Sequence, residues 1–452
     1  MEPTIKDNIS TNKEILGEFP NLDENLLRHI NFKGRGFKIW VVILLLIIAV
    51  GIYSYIRQLR FGLSVTAMRD YVSWGVYISN FVFFVAVSLI GSLMSSILRL
   101  LKFHWAIPLT RISEIIAVSA IMCASIIIII DMGRPDRFLN VFLHGRIQSP
   151  IIWDVIIIST YLMLSILLLY TALIPDIAVC RDRLKNVPKW QRKLYTILAV
   201  NWKGTEPQYK TIFQITRILT VLVIPVAFAI HTVTSWLFAT TWRPGWDSTN
   251  LGPYFVSGAF MVGAAVIILA MYIIRRALQL NKYITDLQFD HMGKLLVLLS
   301  LIYLYFNINE YLGPAFKMVG VEGEHITELF SGKYSVLYWF VQIFGLLLPI
   351  ILLIFKFWRK PVPISIIAFV VVLGAWFKRF LIVIPSLQHP YLPIQDVDES
   401  YRHYVPTWDE WAITFASFAG VMLIITMLIK LFPVIPIWET EEHNEGHEKP
   451  VN

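Results

Sequence analysis

Only two of the 452 residues are cysteine, and only 15% are charged. Cys123, inside an apolar run, and Cys180, in a basic stretch, cannot make a Cys-rich cluster site or a disulfide framework. Any iron–sulfur chemistry linked to this chain therefore belongs to a partner. So little charge against 56% hydrophobic residues excludes a soluble globule, whose surface needs more polar cover. Also missing are a CxxCH motif, a P-loop, a nucleophile elbow and any metal-spaced His/Cys group. Histidine placement argues against an intramembrane bis-His haem. His231 alone lies well inside an apolar run, while His104, His144, His291, His325, His389 and His403 fall in loops or at helix starts. The net charge of +8 does not mark nucleic-acid binding, because the Lys and Arg residues sit in short segments between apolar runs, where they set topology.

What the chain does have is ten apolar runs near the 20 residues that a helix needs to cross a bilayer. They predict spans at approximately Ile39–Ile56, Trp74–Leu98, Ile112–Ile130, Ile151–Ile174, Ile218–Phe238, Tyr254–Ile274, Leu295–Leu312, Leu337–Phe355, Pro363–Ile384 and Trp411–Leu431. The expected fold is an all-α integral membrane protein with two four-helix bundles, spans 2–5 and 6–9, flanked by spans 1 and 10. Spans 3 and 7 end in acids, Asp131 and Glu310, and spans 5 and 9 in basic groups, His231 and then Lys378 and Arg379. Residues 1–38 and 439–452 read as cytoplasmic tails around a membrane domain of 39–438, with no removable signal peptide.

Positive charge orients the bundle. The segment before span 1 and the loops after spans 2, 4, 6 and 8, above all Asp176–Lys210, hold most of the Lys and Arg. These face the cytoplasm of a bacterial inner membrane in this reading, with both termini. The other loops, DMGRPDRF at 131–138, TTWRPGWDST at 240–249 and the long stretch 389–411, then face the periplasm. Their Pro, Trp and Asp content suits either an ordered cap for a partner or plain ordered loops.

An ionisable side chain at the centre of a spanning helix costs roughly 2.5–3.5 kcal/mol, so the few present are the first candidates for chemistry. Asp131, Asp154, His231, Glu310, Lys378 and Arg379 all fall toward the periplasmic ends of five spans, which would build one polar, proton-exchanging pocket at one depth. In Asp131–Arg137, Gly133 permits a tight turn and Pro135 holds Arg134 extended, placing a carboxylate near a ligand. A membrane-exit turn with internal ion pairs is the competing explanation. Asp154 serves equally as a helix-start carboxylate, and His231 equally as a packing histidine. Glu114 lies about 25 Å of helix from Asp131, at the cytoplasmic end of the same span. A carboxylate at each end of one helix marks the mouths of a proton path, to which Glu310 is also assigned, unless Glu114 merely pairs with Arg111.

Several of these motifs occur in an order that resembles one family. DMGRPDRF, SPIIWDVIIISTYL at 149–162, IHTVTSW at 230–236 with PYFVSGA at 253–259, NEYLGPAFK at 309–317, KRFLIVIPSLQHPYLP at 378–393 and PTWDEWAIT at 406–414 are similar to the NrfD/polysulfide-reductase membrane subunits. Over about 60–438 the length matches the ten-helix branch, as in alternative complex III and the quinone reductase complex of sulfate reducers. The resemblance implies a menaquinone or ubiquinone site near the periplasmic helix ends. It also implies a periplasmic ferredoxin-like iron–sulfur subunit above that site and a further catalytic or cytochrome subunit. Carried over by motif, Asp131, Asp154 and His231 are quinone-contacting and proton-exchanging, with Arg134 and Arg379 beside the quinone. Where relatives of the alternative complex III type carry His ahead of Gly-Arg-Pro, this chain carries Asp131. The function expected is quinone-linked electron exchange, with proton translocation as an open possibility. A proton-coupled transporter and a purely structural membrane anchor are the rival readings.

Overall fold

A computed structural model describes residues 34–438 apart from Lys102, Lys185 and Asn186, together with Leu27 and Ile30. Most of the expected N-terminal tail and all of 439–452 lie outside the described residues. Among the described residues the chain is all-helical, and ten helices are long and apolar enough to cross a membrane. They are α1 (Arg35–Phe61), α2 (Val76–Leu100), α3 (Ile107–Asp131), α4 (Pro150–Arg183), α5 (Glu206–Ala239), α6 (Leu251–Leu278), α7 (Asp286–Lys317), α8 (Ser335–Ile354), α9 (Pro361–Gln388) and α10 (Trp408–Leu431).

Each overlaps one predicted span, and several run further. Hydropathy reads only the part in hydrocarbon, whereas backbone hydrogen bonding carries the helix on into the headgroup layer until local chemistry stops it. Thus α4 continues through Pro175 to Arg183, and α5 starts at Glu206 on a capping box of Thr205 and Gln208. Capping boxes also open α7 (Thr285, Gln288) and α10 (Thr407, Glu410). Inside α8 a π turn over Ile343–Leu347, followed by Pro349, interrupts the regular helix.

α2 is the hub, buried on nearly every side and packed against α3, α5, α6 and α9. Contacts run from α2 to α3, α4, α5 and back to α2, and separately from α6 to α7, α8, α9 and back to α6; α1 packs on α10, and α10 on α3. Two glycines set the closest crossings. A Cβ at Gly263 of α6 would come 1.5 Å from Ile90 of α2, and one at Gly91 would come 2.4 Å from the Ser113 carbonyl oxygen of α3. Small residues let backbones approach where no water drives helices together.

Successive helices alternate in direction. The Lys/Arg-rich segments, with the short helix Lys189–Leu198, gather on one face, called here the basic face. The 131–149, 240–250 and 389–407 loops and the short helix Gly320–Phe330 lie on the opposite face.

Candidate functional site

Asp154 stands one turn into α4, buried, and accepts a 2.6 Å hydrogen bond from the Thr234 hydroxyl of α5. Three residues earlier on α5, and so on the same side of the helix, is His231. Its ring is fully buried, and neither nitrogen has a hydrogen-bond partner among the described residues. The Val85 backbone of α2 lies near the ring out of hydrogen-bonding geometry, and the Arg379 charge from α9 acts on it. Arg379 is itself buried over the Phe255 ring, 5.1 Å from its centroid, with Nε and one terminal nitrogen unpartnered among the described residues. A buried imidazole without a partner and a buried guanidinium with two unpartnered nitrogens are costly, and such groups in a native protein call for a ligand or ordered water.

Asp131 is placed elsewhere. It ends α3 with one carboxylate oxygen buried and unpartnered among the described residues, in the electrostatic field of Glu410 and beside Tyr77. Gln58 of α1 ties this corner together, donating to the Ile130 carbonyl at 2.9 Å and accepting from the Tyr77 hydroxyl at 3.0 Å. Among the described residues no hydrogen bond or ion pair joins Asp131 to Asp154 or His231. Arg134 points away, in a bidentate pair with Asp136 at 3.0 Å on the surface. Glu410, a residue the sequence reading passed over, organises the same corner. It is fully buried, accepts from the Ala67 and Thr407 amides at 2.8 Å and from the Tyr404 hydroxyl at 2.5 Å. The T-x-x-E capping pattern of Thr407–Glu410 was the legible signal.

Glu310 and Lys378 belong to a separate polar cluster between α6, α7, α8 and α9. Glu310 accepts from Ser248 at 3.0 Å and Asn250 at 3.1 Å. The Lys378 ammonium donates to the Tyr311 hydroxyl at 2.5 Å and lies over the Tyr311, Tyr254 and Tyr338 rings. Tyr303, Tyr254, Asn307 and Gln342 continue the network by hydrogen bonds of 2.8–3.2 Å. The one-pocket expectation thus resolves into an α4–α5 centre, an α3 corner and an α6–α9 cluster. Sequence position fixes depth along a helix but not the direction in which its side chains point.

Glu114 sits at the basic face inside a buried ion network. Arg99 pairs with it at 2.9 Å, Ser95 donates to it at 2.6 Å, and Arg111 approaches to 3.8 Å while binding Asp176 of α4 at 3.0 Å. From there a polar line follows one side of α2. Ser95 bonds Glu114; Ser92 meets Ser165 at 3.1 Å; the Ser88 carbonyl accepts from Tyr161 at 2.6 Å; and Val85 lies by His231. These positions recur every three or four residues, the period of one helix face.

On the outer side of α5, a cleft of about 710 Å³ opens between α5, α6 and α7. Phe228, Trp236, Phe260 and Phe306 form its apolar wall, and Ser235, Ser248 and Thr249 its polar end. That volume lies in the range of small-molecule sites.

Residues 64–390 match the family model described as polysulphide reductase, NrfD. A putative dimethyl sulfoxide reductase membrane subunit of Halobacterium salinarum is 28% identical over 78% of either chain. A selenate reductase subunit of Mesobacillus selenatarsenatis is 23% identical over 91% of this chain and 97% of its own. The integral membrane subunit of menaquinone reductase from Nitratidesulfovibrio vulgaris is 22% identical over 88% and 92%.

Proposed function

The chain belongs to the NrfD polysulphide reductase family, and from that premise we propose that it is the quinone-reactive membrane subunit of a respiratory oxidoreductase. One observation carries the reading: His231, fully buried with both ring nitrogens unpartnered among the described residues, one turn from Thr234, which binds Asp154 of the adjoining helix. A quinone bound there supplies two-electron, two-proton chemistry. Asp154, fixed by Thr234, and His231 hold or release protons at the headgroup oxygens, and Arg379 offers charge to a developing anion. The apolar wall of the α5–α7 cleft suits an isoprenoid chain, and its polar end at Ser235 is one turn along α5 from His231. Asp131 serves as a further proton acceptor near the α3 exit.

The opposite face is periplasmic in this reading, and the basic face is cytoplasmic. An iron–sulfur subunit docks on the opposite face, where Leu143, Ile147, Trp242, Leu392 and Val405 expose apolar side chains outside the spanning helices, and a further catalytic or cytochrome subunit completes the complex. Names of relatives support a reductase assembly and, in one, menaquinone. The line from Glu114 along Ser95, Ser92, Ser165, Tyr161 and Ser88 toward His231 supports proton uptake from the basic face.

A menaquinol analogue titrated into the purified complex tests this by fluorescence quenching and by electron transfer to the partner's clusters. Asp154→Asn and His231→Ala are expected to weaken binding or slow transfer at least about tenfold with the complex intact. Wild-type binding and turnover in both variants would remove these residues from the mechanism and favour an anchor or carrier.

A further inference from the structure

We propose that the short helix Lys189–Leu198 is an anionic-phospholipid site at the basic face, where Lys189, Arg192 and Lys193 take headgroup phosphates and Trp190 and Ile197 lie among the upper acyl chains. The site is at the far end of the bundle from His231 and does not depend on what binds there.

The sequence supplies the charge. From Arg183 to Thr205 the chain carries six Lys or Arg residues and no Asp or Glu. The acids that flank this stretch are already taken, Asp182 by Arg181 at 2.7 Å and Glu206 by Lys210 at 2.6 Å. Lys189, Arg192 and Lys193 are exposed and form no ion pair among the described residues. A cationic run beside spanning helices, with no acid of its own, is complementary to a negatively charged leaflet.

The fold supplies the geometry. At about 100° per residue the helix has three sectors rather than two. Counted from Lys189, the buried Gln191 and Tyr195 fall at about 200–240°, the exposed Trp190 and Ile197 at about 80–100°, and Lys189, Arg192 and Lys193 within about 60° of zero. The first sector is fixed to the bundle. The Tyr195 hydroxyl donates to the Leu431 carbonyl at the end of α10 and accepts from Gln191, both at 2.7 Å. At the other end of the short helix, Tyr170 of α4 donates to the Leu198 carbonyl at 2.9 Å. Tyr170 precedes Arg183, the last residue of α4, by about 20 Å of helix. The short helix therefore lies along the flank of the bundle, at the edge of the hydrocarbon layer. At that depth the Trp190 and Ile197 sector reaches acyl chains, and an indole is favoured at the boundary. The cationic sector, turned by about 100° from it, faces the phosphates. An acidic soluble protein would match the cations alone, whereas an anionic phospholipid matches both sectors. Each Lys or Arg near an anionic surface adds roughly a fivefold preference, so three give on the order of a hundredfold before salt screens them.

The purified complex is reconstituted in nanodiscs of equal phosphatidylglycerol and phosphatidylcholine, with bromine on the acyl chains of one lipid at a time. Trp190 fluorescence is read as the difference made by Trp190→Phe in each background. Brominated phosphatidylglycerol is expected to quench it at least about threefold more than brominated phosphatidylcholine, and the exposed triple change Lys189→Gln, Arg192→Gln and Lys193→Gln to abolish that preference. Equal quenching by the two lipids in the wild type would reduce the helix to an apolar anchor and overturn the proposal. Absence of quenching by either would put Trp190 under a partner subunit, which overturns it as well. Inorganic phosphate substituted for chloride at matched ionic strength is expected to leave the preference intact; its loss would mark a free-phosphate site instead. Native mass spectrometry gives a second readout, with at least one phosphatidylglycerol fewer retained per chain in the triple variant. Equal retention in both proteins would overturn the assignment.

Discussion

Both faces of the membrane domain bury ionisable groups, and they treat them differently. At the basic face Glu114 and Asp176 each have an arginine within 3.0 Å, and Asp176 also accepts weakly from the Ile437 and Trp438 amides that follow α10. At the opposite face Asp154 has one hydroxyl, while His231 and one oxygen of Asp131 have no hydrogen-bond partner among the described residues. At the basic face the buried charges neutralise one another, although Arg111 Nε and one terminal nitrogen lack a hydrogen-bond partner among the described residues, whereas an orphaned buried group with no opposite charge beside it is tolerated where something else binds or exchanges protons. The contrast separates ion-paired groups from those with no opposite charge bound to them among residues that look alike in the sequence.

The largest expected effect lies in the ion-paired network of the basic face. Arg111→Met strands the buried Asp176 carboxylate and costs on the order of 3–5 kcal/mol, read as loss of assembly or a much lower unfolding temperature in detergent. His231→Leu should do the reverse. Removing an unpartnered imidazole leaves folding unchanged or improved, while quinol-dependent turnover falls about tenfold or more. If the two variants unfold alike, the contrast between the faces fails.

A smaller effect concerns pH. Burial, then the neighbouring His389 and Lys378 charges, push the His325 imidazole down to about 3. The unfolded chain takes up a proton near the ordinary value of about 6.5, so the folded state keeps its full advantage above that pH and loses it progressively as pH falls toward 3. His325→Leu should flatten that acid limb in unfolding measured against pH. Smallest of all is Arg134→Ala. Its partner Asp136 shares its solvent exposure, so unfolding temperature should not move and turnover should stay at wild type.

Ten spans were legible because a helix in lipid must be apolar over a fixed length, a one-dimensional rule. The depth of Asp131, Asp154, His231 and Glu310 was legible for the same reason. Their partners were not. Asp176 looked like the first residue of a polar loop, yet it is the buried counter-ion of Arg111 because α4 runs on past the hydrocarbon edge. Lys378 and Arg379 are adjacent in sequence, yet Lys378 meets the α7 tyrosines and Arg379 lies over Phe255 of α6, because successive helix positions differ by about 100°.

The sequence alone thus determined the solvent, the number of crossings and the end of each helix at which polar groups collect, since hydropathy and charge act locally along the chain. Which of those groups meet depended on the rotation of each helix about its axis. That rotation is set by side-chain packing between helices distant in the chain, such as Gly263 against Ile90, and only the tertiary structure decides it.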